Sequence, residues 1–263
     1  MKLVIMLLLA ASSEVHLTQW IDREGAPLPF TSDAEVEVFL RAADIVASKE
    51  LEGTRNRPLK LTLSKDGVEA RAIFRTVDKK RSSARVGNVT IRDYHDSYIY
   101  ECAAYKLSRL LDIDNVPPCI LRMIDGQKGS VQLWVEQAVT EFQNRYDVDG
   151  PTAPERWPSV FDTMRVFDAL IDNFDRHPGN ILVDSRDRVW FIDHTRSFRL
   201  YTNAPKLELA AGSHPDLIRA LRSLEKKDLE VLKPFVSFRH IAALMRRRDQ
   251  ILEQLTDTEG PAH

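Results

Sequence analysis

The sequence predicts an α+β protein of two lobes, the first built mainly on strands and the second on helices. Two observations carry this reading. Across residues 50–139, short alternating apolar runs are punctuated by Asp66-Gly67 and Asp125-Gly126, dipeptides that tolerate the positive φ of hairpin turns. From Ser159 onward the apolar residues instead recur every three or four positions, as along one face of a helix. The expected division is residues 14–139 for the strand-rich lobe, 140–158 for a connector and 159–263 for the helical lobe. Residues 1–13 stand apart as a targeting segment. At 263 residues the chain is long enough for two lobes that share a cleft.

Lys2, the unbroken apolar run Leu3 to Ala11 and the small residues Ser12 and Ser13 match the charge, core and exit of a secretory signal. This run is far shorter than the ~20 residues a spanning helix needs. Export to a periplasmic or extracellular space is therefore expected; the alternative is a buried first strand in a cytoplasmic protein. No other run reads as transmembrane, so none is expected in the mature chain.

Asp33 to Lys49 reads as an amphipathic helix capped by Ser32 or Asp33. Leu59 to Leu63 alternates like a strand, Lys65-Asp66-Gly67 turns, and Ala70 to Thr76 returns as its partner. Asp78 to Gly87, rich in Lys, Arg and Ser, reads as a loop. Ser97 to Leu111 forms a helix with Ile99, Ala103, Leu107 and Leu110 on one face; Val116-Pro117-Pro118 stops it. Cys119 to Met123 and Ser130 to Val139 are the next two strands, around the turn at Asp125-Gly126. Gly150 and the prolines at 151, 154 and 158 mark the connector. Ser159 to Ile171 is a helix with a buried stripe of Phe161, Met164, Phe167 and Ile171, and Ser159 and Asp162 have capping-box spacing. Asn180–Val183 and Arg188–Ile192 pair as a hairpin, and residues 216–255 are helical with a break at Pro234.

A net charge of −2 makes no electrostatic case for nucleic acid. The clusters Lys79-Lys80-Arg81 and Arg246-Arg247-Arg248 read as a solvated loop and helix face. Cys102 and Cys119 form no zinc-ligand pattern and read as small buried side chains; a disulfide between them is left open.

The chemistry concentrates in Asp172-Asn-Phe-Asp-Arg-His-Pro-Gly-Asn-Ile-Leu-Val183, followed by Trp190-Phe-Ile-Asp193. Asp175 and Asn180 lie five positions apart, and an apolar hairpin then delivers Asp193. Phosphoryl transfer needs these parts: a carboxylate to take a hydroxyl proton, and an Asn and an Asp to hold Mg²⁺ or Mn²⁺ against the phosphates of ATP. Arg176 and His177 would hold the loop, by pairing with a carboxylate or donating to developing negative charge. Any one of these residues alone is more often a turn former; the set is not. His177 and His194 are equally readable as zinc ligands or as structural histidines. On the strand-rich side Lys60, Arg75 and Glu101 are expected to meet and to orient the nucleotide.

Through the block Glu101-Cys-Ala-Ala-Tyr-Lys-Leu-Ser-Arg-Leu-Leu-Asp-Ile-Asp-Asn-Val-Pro-Pro118, and Phe167 to His177 with Phe191-Ile-Asp-His194, the chain resembles the atypical kinases of the secretory pathway. These are of the Golgi casein kinase and four-jointed type. The resemblance also extends to bacterial proteins with that domain, and the Asp-Arg-His core is similar to phosphatidylinositol and HipA-type kinases. It implies a two-lobed protein-kinase-like fold and transfer of the ATP γ-phosphoryl group to a hydroxyl on a protein, sugar or lipid. Asp175 would be the catalytic acid/base, Asp193 a metal ligand and Glu101 the helix carboxylate. Asn180 fits the phosphatidylinositol and HipA pattern, and Lys60 the lysine of Gly-Thr-x-Leu-Lys. Two positions depart from the pattern: Arg75 stands where a lysine is expected, and His-Thr-Arg-Ser-Phe follows Asp193 in place of Asn-Gly-Arg-Gly-Phe. They motivate a second reading, a nucleotide- or partner-binding pseudokinase. A metal-dependent hydrolase using Asp175, His177, Asp193 and His194 is a third.

Overall fold

Alternating side chains and two Asp-Gly turns assemble the first lobe. In the computed structural model, which describes residues 20–54, 56–86, 88–147, 157–209 and 214–257, helix α1 (Asp33–Ala42) precedes β1 (Asp44–Glu50), β2 (Leu59–Lys65) and β3 (Val68–Arg75). The hairpin β4 (Asp78–Val86) and β5 (Val89–Ser97) follows, then α2 (Ile99–Leu110), β6 (Cys119–Ile124) and β7 (Gln127–Leu133). Strands β1, β2, β3, β7 and β6 form one antiparallel sheet in that order, and β4–β5 stands as a separate two-stranded ribbon. Asp66 and Gly67 (φ 52° and 79°) and Asp125 and Gly126 (49° and 75°) are left-handed in both turns, as the sequence requires. The signal-like segment lies outside the described residues.

The second lobe opens with β8 (Ala138–Thr140), α3 (Glu141–Asp147) and α4 (Trp157–Ile171). After the Asp-Arg-His loop come β9 (Ile181–Asp184), β10 (Val189–Phe191), α5 (Pro215–Ser223) and α6 (Phe238–Asp257). Strands β10, β9 and β8 form a small sheet, with Val189 paired to Val183 and Phe191 to Ile181. One apolar core joins α2, α4 and the C-terminal helices, while a second lies between the large sheet, α1, Trp20 and Trp190.

Five expectations change. The first helix ends at Ala42, capped at its start by Ser32, and residues 44–50 pair with β2 along the sheet edge; β-branched Ile45 and Val46 favour the strand once a partner edge exists. Residues 78–86 are not a loop but β4, the exposed strand of the ribbon, which carries no apolar alternation because it buries little. The strand expected over 130–139 splits: β7, between β3 and β6 in the large sheet, ends at Leu133, and β8 joins the small one. Helix α4 starts at Trp157, with Pro158 in its first turn, so Ser159 and Asp162 form no capping box; Asp162 is buried against His214 and Arg165. Arg247 is no solvated residue: it is fully buried on α6, donating to the Leu170 carbonyl at 2.8 Å, and burial pushes its pKa down to about 10.

Cys102 and Cys119 are disulfide-bonded, fastening α2 to the edge strand β6. For cysteines 17 residues apart, closing the loop stabilises the fold by about 3 kcal/mol. Urea unfolding with and without a thiol reductant will separate by that amount; coincident curves would show that the bond contributes nothing.

Candidate active site

The two lobes enclose a cleft of about 740 Å³, lined by Gly53, Arg75, Trp134, Asp175, Asn180 and Asp193 among others. Helix α4 leads into the loop that supplies one wall. Past Ile171 the chain turns through Asp172 (φ 53°), and the Asn173 side chain accepts from the Asp175 backbone N–H at 3.2 Å. Asn180 donates its side-chain amide to the Asp175 carbonyl at 3.0 Å, so its carbonyl oxygen is the end left to offer a cation. The β9–β10 hairpin then returns the chain to Asp193, which sits left-handed at φ 59°. Strand β10 is in turn held by Asn115, beyond α2, which accepts from the Phe191 N–H and donates to the Val189 carbonyl, each at 2.8 Å.

Arg176 does not face the cleft. Its guanidinium forks onto Asp168 of α4 at 2.8 and 3.0 Å, donates to the Asn180 and Ile192 carbonyls at 2.6 and 2.7 Å, and meets the His194 ring at 3.0 Å. Of the two roles open to it, pairing with a carboxylate is the one observed. It holds the backbone of Asn180 and of Ile192, the residue before Asp193, with its guanidinium turned to Asp168. His177 lines the cleft and uses Nδ1 to accept from the Gly179 N–H at 3.1 Å. His194 is buried, its backbone N–H donating to Glu101 at 2.9 Å. Among the described residues no group of three or more His, Cys, Asp or Glu could hold a metal. The zinc reading therefore loses its ligand set.

On the sheet side, Arg75 approaches the fully buried Glu101 at 3.7 Å. Burial works against the Glu101 charge, yet the Arg75 guanidinium and the His194 donors hold its pKa below the usual value. Burial raises that of Asp193; Arg75 opposes the rise, while Glu101 and Asp96 add to it. Lys60 does not join this group. It pairs across the strands with Ile73, one pleat repeat (about 7 Å) from Arg75, and its ammonium lies 3.9 Å from the Trp134 ring centroid. Burial and the nearby Arg71 and Arg23 lower its pKa.

The donor set fits a hard divalent cation shared with phosphates. Asn180 and Asp193 offer one amide oxygen and one carboxylate, and Mg²⁺ is usually held by one or two protein carboxylates with phosphates and water completing its shell. Arg75 lines the cleft with its Nη1 buried and without a hydrogen-bond partner, a polar atom that a bound phosphate would satisfy.

Sequence reasoning missed Asp96, Asp168 and Arg196. Asp168 carried a usable signal, a carboxylate inside the apolar pattern of α4. Arg196 carried one too, as the arginine that His-Thr-Arg-Ser-Phe shares with the expected Asn-Gly-Arg-Gly-Phe; Asp96 carried none, because its neighbours are set by packing between distant segments. Arg196 bridges Asp96 at 3.2 Å and Asp175 at 2.9 Å; burial opposes its charge, but these two carboxylates hold its pKa up.

No family model matches the sequence, and no curated protein matches it. Solved structures do. The structure of hydra Fam20 with sugar matches at 14% identity and a TM-score of 0.63, covering 87% of this chain and 90% of that one. The chain has the Fam20 fold. The Golgi casein kinase with Mn/ADP bound matches at 16% identity and a TM-score of 0.62, covering 87% of this chain and 76% of that one. At such identities the likeness establishes the two-lobed kinase-like architecture, a β-rich first lobe and a helical second. Among the described residues of this Fam20-like chain no helix is long and apolar enough to cross a membrane.

Proposed function

We propose that this protein is a kinase that uses Mg²⁺ or Mn²⁺ to transfer the γ-phosphoryl group of ATP to a hydroxyl-bearing acceptor. The observation that carries the reading is that Asp175, Asn180 and Asp193 line one cleft together with Arg75, itself paired to Glu101. In the step, the acceptor oxygen bonds to the γ-phosphorus as the bridging P–O bond to ADP breaks, and the hydroxyl proton passes to Asp175. Arg75 meets the phosphate charge, Glu101 orients Arg75, and Asn180 and Asp193 would hold the metal. Bound there, the metal would neutralise phosphate charge and fix the nucleotide for in-line attack. Export belongs to the same proposal, supported by the Lys2–Ser13 segment and by a disulfide suited to an oxidising compartment.

Calorimetric titration with ATP, with and without Mn²⁺, tests the nucleotide site. The expected result is metal-dependent binding that Asp193→Ala weakens by at least about a hundredfold, roughly 2.7 kcal/mol. Binding that ignores both metal and substitution would remove Asp193 from the site.

A second reading, a nucleotide-binding pseudokinase, is favoured by one observation: Arg75 meets Glu101 at 3.7 Å, where a lysine ammonium would make a compact point contact. Under it, Arg75→Lys tightens ATP binding, and no acceptor, water included, receives phosphate from the unaltered protein.

A further inference from the structure

We infer that Arg196 is a positioning residue for Asp175, and that Asp96 holds Arg196 in place across the two lobes. The inference rests on the kinase reading above and deepens it. Arg176 makes all its bonds away from the Asp175 carboxylate, whereas Arg196 ends on it: Nη1 donates to Asp175 Oδ2 at 2.9 Å. Its Nε donates to Asp96 Oδ2 at 3.2 Å, and its guanidinium lies 5.7 Å from the Tyr94 ring. One planar fork thus joins a carboxylate of β5 to a carboxylate of the loop after α4, a geometry open to arginine and not to lysine.

The surroundings make this a built contact. Asp96 is 1% exposed, and the Tyr94 hydroxyl donates to the same Oδ2 at 3.2 Å. The Tyr94 and Phe174 rings pack at 6.1 Å, beside Asp175. The Ser97 N–H donates to the Thr195 carbonyl at 2.8 Å, stitching the end of β5 to the segment that carries Arg196. Two consequences follow for the reaction. Occupation of Asp175 Oδ2 leaves Oδ1 as the oxygen that takes the hydroxyl proton. Since Asp96 belongs to the first lobe and Asp175 to the second, orientation of the base also depends on the ribbon root being seated on the cleft.

The test uses the full chain with ATP and Mn²⁺, water as acceptor and phosphate release as the signal. Nucleotide binding by calorimetry and thermal unfolding are followed in parallel. Arg196→Gln is expected to lower kcat about a hundredfold, the scale of a misplaced reacting group, with the KM for ATP within about twofold. Asp96→Asn keeps the shape and an acceptor oxygen, so it folds even if Arg196→Gln does not; it is expected to cost about tenfold in kcat, again without a change in KM. Arg196→Lys, which keeps the charge but cannot span both carboxylates, should restore less than half of the lost rate. The double variant Asp96→Asn/Arg196→Gln should be no slower than Arg196→Gln alone, because the two act as one unit. Turnover by the unaltered protein that Asp96→Asn leaves intact, or losses that simply multiply in the double variant, would overturn the inference alone. Absence of turnover in the unaltered protein would overturn the kinase reading and this inference with it.

Discussion

Replacing Asp175 with asparagine will reduce phosphoryl transfer by about a thousandfold while leaving metal-dependent ATP binding within a few-fold of the unaltered protein. The size follows from what a positioned general base contributes, on the order of 10²–10⁴. The selectivity follows from geometry. Asp175 sits at the end of a loop held by Asn173, Asn180 and Arg196, and the proposed nucleotide contacts at Arg75, Asn180 and Asp193 are separate side chains. Asparagine preserves the shape and can still accept from Arg196, so the loop keeps its form and only proton acceptance is removed. Phosphate release measured beside calorimetric binding separates the two effects. A variant that binds ATP and turns over at the original rate would take Asp175 out of the chemistry altogether.

Substitution of Arg176 by alanine should do more damage to the fold than any other change in the site. Its removal leaves Asp168 with only the Asn173 amide at 2.8 Å, strips the Arg176 donor from the Ile192 carbonyl and the His194 ring, and leaves the Asn180 carbonyl with the Ile192 N–H alone at 3.2 Å. Breaking a buried ion pair by deleting one partner typically costs about 3–5 kcal/mol. Urea unfolding should register a loss of that order, and metal-dependent ATP binding should weaken because Asn180 and the residue before Asp193 lose their common anchor. Arg176→Lys should recover little, since an ammonium cannot fork onto Asp168 and reach the two carbonyls at once. A fully stable Arg176→Ala variant would mean that the five contacts are geometric coincidences.

The sharpest misreadings of the sequence share one cause. The β4–β5 ribbon was read in its first half as a loop because strand recognition depends on a buried face, and Asp78–Val86 has scarcely any. Residues 44–49 were assigned to a helix because an edge strand needs a partner, β2, to outweigh local propensity. The fully buried Arg247 looked like a solvated charge because no pattern in a run of three arginines reveals which one turns inward. Lys60 was expected beside Glu101; strand register, which shifts by a whole pleat without altering the alternation, put it over Trp134.

What the sequence determined by itself was whatever local spacing can encode. The left-handed Asp-Gly turns, the apolar stripe of α4 and the hairpin that carries the chain from Asn180 to Asp193 are all legible there, and so is the order of strands before helices. Those features depend on residues a few positions apart, whose geometry the backbone constrains directly. Tertiary structure alone decided which charges meet: Arg75 with Glu101 across 26 positions of sequence, Arg176 turned inward to Asp168, and Arg196 drawn between Asp96, 100 residues away, and Asp175. A buried charge takes its partner from whichever segments the cores bring together, because leaving it unpaired costs more than any local preference supplies.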